Sequence, residues 1–223
     1  MTRKYLFISS VLLELILFYT IPDKTYTLFR VLTHSVLFLW AYQSLKPSFT
    51  QSDLFILFNI FTPIISPVFY LFSGKSVSVI FELAIICVSN LGLIAAFLSN
   101  HERFNNKLAT KTFLQILIPY IILPILYFYF VLHPATKINE FLVVIYIIIL
   151  ITVAVTSAYF SKNQQVSLFL TISVGLMFLA SGANGYRLFV TNYFFDFGLV
   201  RLSTIFSKYF LALGFITNKR LQE

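Results

Sequence analysis

Eight long apolar runs, separated by short polar breaks, organise the chain. They fall at approximately 5–21, 26–44, 54–73, 77–98, 112–132, 141–160, 166–184 and 200–217. Each covers, or nearly covers, a bilayer core of about 30 Å when wound as a helix. Lipid offers no partner to backbone groups, so a spanning segment must be a helix or part of a closed barrel. A barrel strand alternates apolar and polar positions. The stretch VVIYIIILITVAV at 143–155 is apolar on every face, which selects helices. The breaks PDK (22–24), SGKS (73–76) and SKNQQ (161–165) are too short for anything but antiparallel neighbours. The pattern predicts an all-α membrane protein, a bundle of eight transmembrane helices with short loops, forming a single polytopic membrane domain over 1–223.

Composition strengthens this picture. The chain is 59% hydrophobic and 11% charged, with a mean hydropathy of +0.88. Soluble domains carry about 25% charged residues, so this chain cannot cover itself with a polar surface. The formal net charge of +8 would suggest nucleic acid in a soluble protein. Here the basic residues fall mainly between apolar runs, where they act as topology signals and headgroup contacts. A nucleic-acid partner is not expected. Cys87 is the single cysteine, so no internal disulfide can form, and its apolar run makes it a small core residue.

The distribution of Lys and Arg predicts an orientation. Arg3, Lys4, Lys46, Arg103, Lys107, Lys111, Lys162, Lys219 and Arg220 share one side of an eight-span layout. The opposite side receives Lys24, Lys75 and Lys137, with Arg30, Arg187 and Arg201 at or inside helix ends. Both termini are therefore expected in the cytoplasm, in a bacterial inner membrane. Arg3 and Lys4 before an apolar run also suit a signal peptide. No small-x-small cleavage site follows, however, and a retained first helix is expected.

Ionisable groups inside a span are costly and usually turn towards the bundle interior. Glu14 lies mid-span in the first run, Glu82 early in the fourth, and Lys208 about halfway along the eighth. Arg30 and His34 stand four residues apart, on one helix face. Asn59, Asn90 and Asn184 add amides at depth. These groups serve either as pairs that hold helices in register or as a polar pocket for a lipid headgroup, with Arg30 on the phosphate. Pro63, Pro67, Pro119 and Pro124 remove backbone donors and bend their helices. His34, His101 and His133 lack metal-ligand spacing, so neither a metal nor a cofactor is expected. No HExxH, phosphate loop or GxSxG is present, and Leu179-Ala180-Ser181-Gly182 lacks the first glycine of an intramembrane serine protease.

Five stretches carry a family likeness: FRVL (29–32), IISPVF (64–69), VSNLGL (88–93), FLASGANGYRLF (178–189) and FSKYFLALGF (206–215). With the chain length, eight helices and short loops, the sequence resembles the YhhN-like family of integral membrane proteins, whose characterised members are lysoplasmalogenases. The likeness covers nearly the whole chain. Arg30 and Leu32 stand where the family has a base and a leucine, with Val31 in place of proline. Ser66 and Pro67 fall where it has a small residue and an aspartate. Asn90 and Leu93 replace a histidine and a tyrosine. Phe178 and Ser181 are kept, but Gly182 occupies the aspartate position. Lys208 and Tyr209 fall where the family carries tyrosines and a glutamine.

The resemblance implies hydrolysis of single-chain vinyl-ether phospholipids, by water addition and aldehyde release. That reaction needs a proton donor. With both aspartate positions changed, Glu82 and Glu14 become the candidate catalytic acids. Arg30, His34, Asn59, Asn90, Ser181, Asn184 and Lys208 become the candidate substrate-binding residues, with membrane lipids and a lysophospholipid as partners. Two alternatives remain open: a non-catalytic lipid-binding or scaffold protein of the same fold, and a small transporter. No inverted repeat of the transporter kind is visible.

Overall fold

In the computed structural model, the described residues are 2–20, 26–46, 49–72, 75–99, 118–133, 140–161 and 163–221. They are almost wholly helical and contain no strand. The expected break at 22–24 and residues Lys24, His101, Arg103, Lys107, Lys111, Lys137 and Lys162 lie outside them. So do the side chains of Arg3, Lys4, Ser66, Pro67 and Lys75.

Helix α1 is Thr2–Thr20, α2 is Tyr26–Leu45, α3 is Gln51–Phe72 and α4 is Lys75–Leu98. The segment α5 has three pieces: a π-helical Ile118–Ile122, an α-helical Leu123–Tyr127 and a second π-helical Phe128–Leu132. Helix α6 is Glu140–Ala158, α7 is Gln164–Phe189 and α8 is Asp196–Arg220. Each coincides with one apolar run. By length and composition, four described helical stretches can cross a membrane: Ile80–Leu98, Glu140–Ala158, Gln164–Phe189 and Asp196–Arg220. Tyr5–Thr20, Gln51–Ile65 and Pro119–Val131 are shorter apolar helices.

The helix starts have local causes. Before α3, Asp53 Oδ2 accepts from the Thr50 backbone N–H at 2.7 Å and from its hydroxyl at 2.9 Å. The Asp53 N–H points back to Thr50 Oγ1 at 3.4 Å. This reciprocal box satisfies donors that the first turn would otherwise leave open. Asn163 caps α7 by accepting from Gln165 N at 3.0 Å and Val166 N at 3.2 Å. In α5, Pro119 and Pro124 each lack a backbone donor, which a regular ladder cannot absorb. The π-helical turns flank this break.

The chain packs as two compact units, Met1–Gly92 and Leu93–Glu223. In the first, α1 buries Phe7, Val11 and Glu14, which recur at helical spacing. Helix α2 buries His34, Leu37, Ala41 and Leu45. Thr33 Oγ1 lies 3.3 Å from the Ser10 carbonyl oxygen, which fixes the level at which α1 meets α2. In the second unit, α7 and α8 pack along their lengths and form its centre. Phe97, Phe160 and Phe215 close one end of that core, with ring centroids 5.3, 5.4 and 4.8 Å apart. A Cβ at Gly214 would come within 2.8 Å of Leu170 Cδ2, so glycine sets how closely α8 approaches α7.

Candidate functional site

The first unit gathers the charged residues of α1, α2 and α4. Arg30 Nη2 faces Glu82 Oε1 at 3.9 Å, with the two side chains 24% and 33% exposed. That separation is an ion pair but exceeds hydrogen-bond length. Arg30 Nε is buried and has no hydrogen-bond partner. His34 Nδ1 lies 3.1 Å from the Arg30 carbonyl oxygen, so the Nδ1–H tautomer donates back to the preceding turn. Glu14 and His34 are each 0% exposed. One turn along α1 from Ser10, and one turn back along α2 from Thr33, Glu14 comes level with Arg30. Arg30 and Glu82 thus bring an acid beside a base.

A second cluster lies deeper in the same unit. Asn59 Nδ2 donates to Asn90 Oδ1 at 3.1 Å and to Ser89 Oγ at 3.2 Å. Ser89 Oγ in turn donates to the Ile86 carbonyl at 3.0 Å. All three side chains are buried. Asn90 Nδ2 has no hydrogen-bond partner. Glu82 and Asn90 are eight residues apart on α4, about 12 Å of helix rise. A half-used guanidinium and a spare amide donor thus belong to one unit at two depths.

The remaining candidates, Ser181, Asn184 and Lys208, belong to the second unit. Ser181 Oγ donates to the Met177 carbonyl at 2.7 Å and shares a hydrogen bond of 2.5 Å with the Tyr146 hydroxyl. Tyr127 donates to the Gly182 carbonyl at 2.8 Å. Tyr193 reaches the Ala183 carbonyl at 3.5 Å. Arg187 Nη2 donates to Asn184 Oδ1 at 3.0 Å, while Arg187 Nε is buried without a partner. Tyr186 and Tyr193 meet edge-on at 5.8 Å. Burial pushes the Tyr193 phenol above its ordinary range; Asp196 adds to this and Arg187 opposes it. Lys208 is buried in α8, as is Arg201.

The tyrosines were not singled out from the sequence. With 13 of them in the chain, only the spatial arrangement reveals that Tyr127, Tyr146 and Tyr193 converge on 181–183. The stretch also differs from the close-packing seam expected of small residues in membranes. The nearest atom to a Cβ at Gly182 would be Tyr127 Cε1, at 3.9 Å. The tight approach occurs at Gly214 instead. Among the described residues, no three His, Cys, Asp or Glu side chains converge as a metal site would require.

No family model, curated protein or solved structure matches the chain. The functional reading therefore rests on the residues themselves.

Proposed function

We propose that this is a phospholipid-binding integral membrane protein of YhhN-like type, in which headgroup binding persists without efficient vinyl-ether hydrolysis. Eight spans, both termini in the cytoplasm and a bacterial inner membrane belong to the same reading. The observation that carries it is Arg30. Its guanidinium has five N–H donors, yet it holds Glu82 only at 3.9 Å and leaves Nε–H unpartnered. A lipid phosphate supplies the oxygen acceptors that such a fork prefers, in charge-assisted bonds. Glu82 then faces the cationic end of a zwitterionic headgroup.

The non-catalytic form is favoured by the composition of the cluster on α7. The described hydrogen bonds of Ser181, Gly182, Ala183 and Asn184 run to phenols, carbonyls and a guanidinium, with no carboxylate among them. A proton donor for vinyl-ether hydrolysis is thus missing where the resemblance would have it. The hydrolase reading keeps one support, the placement of the Glu82 carboxylate beside the phosphate-binding Arg30.

Native mass spectrometry of the purified chain with added lysophospholipid tests the proposal. Arg30→Gln is expected to lose bound lipid at least several-fold. Unchanged lipid binding by Arg30→Gln, in a variant that remains folded, would remove Arg30 from the site.

A further inference from the structure

The end of the second unit formed by the α7–α8 connection carries features that the Arg30 reading does not use. Phe194 is 99% exposed. Val190 and Phe195 beside it are also exposed. Helix α7 has 26 residues, about 39 Å of rise, against a bilayer core of about 30 Å. Crossing such a core leaves about 9 Å of the helix outside it, and Arg187 lies in the last turn. The guanidinium is anchored through Nη2 to Asn184, and its Nε–H has no partner. The neighbouring acid, Asp196, accepts from the Phe197 N–H at 2.6 Å, so its carboxylate is engaged at the start of α8. Tyr186 and Tyr193 meet edge-on at 5.8 Å in the same region, side chains suited to a wet apolar boundary.

We infer that the α7–α8 connection is a bilayer-boundary clamp, in which Phe194 inserts among the upper acyl chains and Arg187 binds the phosphate of an adjacent phospholipid. The ring supplies apolar burial, and the guanidinium supplies a charge-assisted contact at the same depth. Neither half would hold a lipid in place alone. An exposed phenylalanine in water would be a liability; at the acyl boundary it is an anchor. The site is separate from Arg30 and belongs to the other unit.

A single-tryptophan chain tests this. Trp40 is the only native tryptophan, so Trp40→Phe with Phe194→Trp leaves one reporter at the connection. In phosphatidylcholine vesicles, its emission is expected to be blue-shifted and quenched most by lipid brominated high on the acyl chain. Adding Arg187→Gln should remove one retained phospholipid per chain in native mass spectrometry, while Arg187→Lys should keep it partly. Water-like emission without bromine quenching would overturn insertion, whether or not the arginine variants fold. Unchanged lipid retention in a folded Arg187→Gln chain would overturn the phosphate contact. Displacement of the lipid by inorganic phosphate would assign Arg187 to a free anion and overturn the lipid clamp. Quenching relieved only by dissociating a dimer would assign the surface to a second copy. Emission and bromine quenching at the connection do not depend on Arg30, so failure here is distinguishable from failure of the Arg30 site.

Discussion

Tyr127 on α5 donates its hydroxyl to the backbone carbonyl of Gly182 on α7, at 2.8 Å. A helical carbonyl already serves its own ladder, so this second bond ties an irregular segment to a regular helix. Tyr127→Phe removes the bond and leaves the ring. The expected loss of stability is about 0.5–1.5 kcal/mol, read as a lowered unfolding midpoint in detergent. An unchanged midpoint would mean that the Tyr127 bond adds nothing to how α5 is held.

Arg30 and Glu82 should behave as a coupled pair. Arg30→Gln and Glu82→Gln each leave one charge behind, whereas the double variant leaves none. The double-mutant cycle is expected to give a coupling energy of about 0.5–1 kcal/mol. Strict additivity would show that the 3.9 Å approach has no energetic content.

Position 198 should resist any side chain. Phe195 adopts a left-handed backbone, φ 62° and ψ 20°, and its ring lies where a Cβ at Gly198 would be built. Gly198→Ala is expected to cost about 1–3 kcal/mol by overpacking. In a Phe195→Gly background most of that cost should vanish, because the colliding ring is gone and glycine accepts the positive φ. Thermal unfolding of the four chains reads both effects.

The topology can be tested without a structure. Reporter fusions after Asn100 and after Gly74 should report the cytoplasm and the opposite side, respectively. The basis is the concentration of Lys and Arg in the even-numbered loops. Two fusions on one side would remove a span from the proposed eight.

Hydrolysis of lysoplasmenyl lipids is expected to be very weak or absent, and to depend on Glu82 if detectable. General acid catalysis is typically worth about 10²–10⁴-fold, so lack of the acid should be plain in an aldehyde-release assay run beside an aspartate-bearing lysoplasmalogenase. Robust turnover surviving Glu82→Gln and Glu14→Gln would place the proton on another group.

Apolar runs foretold every described helix, because a long apolar segment must satisfy its backbone within itself. The π-helical turns of α5 were foreshadowed only by Pro119 and Pro124, since proline marks a broken ladder without saying how it is repaired. Arg30, Glu82 and the asparagines were legible as expensive residues at depth. The asparagines' partners were not, because Asn59 meets Asn90 across two helices, 31 positions apart. The tyrosines around 181–183 were invisible for a different reason. An amphipathic aromatic fits a membrane helix at nearly any position, so its presence alone does not indicate a contact. The close helix approach lies at Gly214, not at the glycines of that stretch.

The buried basic residues of α8 bear on how the chain enters the membrane. Arg201 and Lys208 both lie within Asp196–Arg220 and are buried in the second unit. A lone helix crossing lipid with two such residues would meet a penalty of about 2.5–3.5 kcal/mol for each at mid-depth. Helix α7 carries no charge before Arg187 and can partition unaided. Joined to α8 by a short connection, it offers Ser173, whose hydroxyl already donates to the Ser207 carbonyl at 2.8 Å beside Lys208. Paired with α7 as a helical hairpin, α8 would meet lipid with Arg201 and Lys208 already covered.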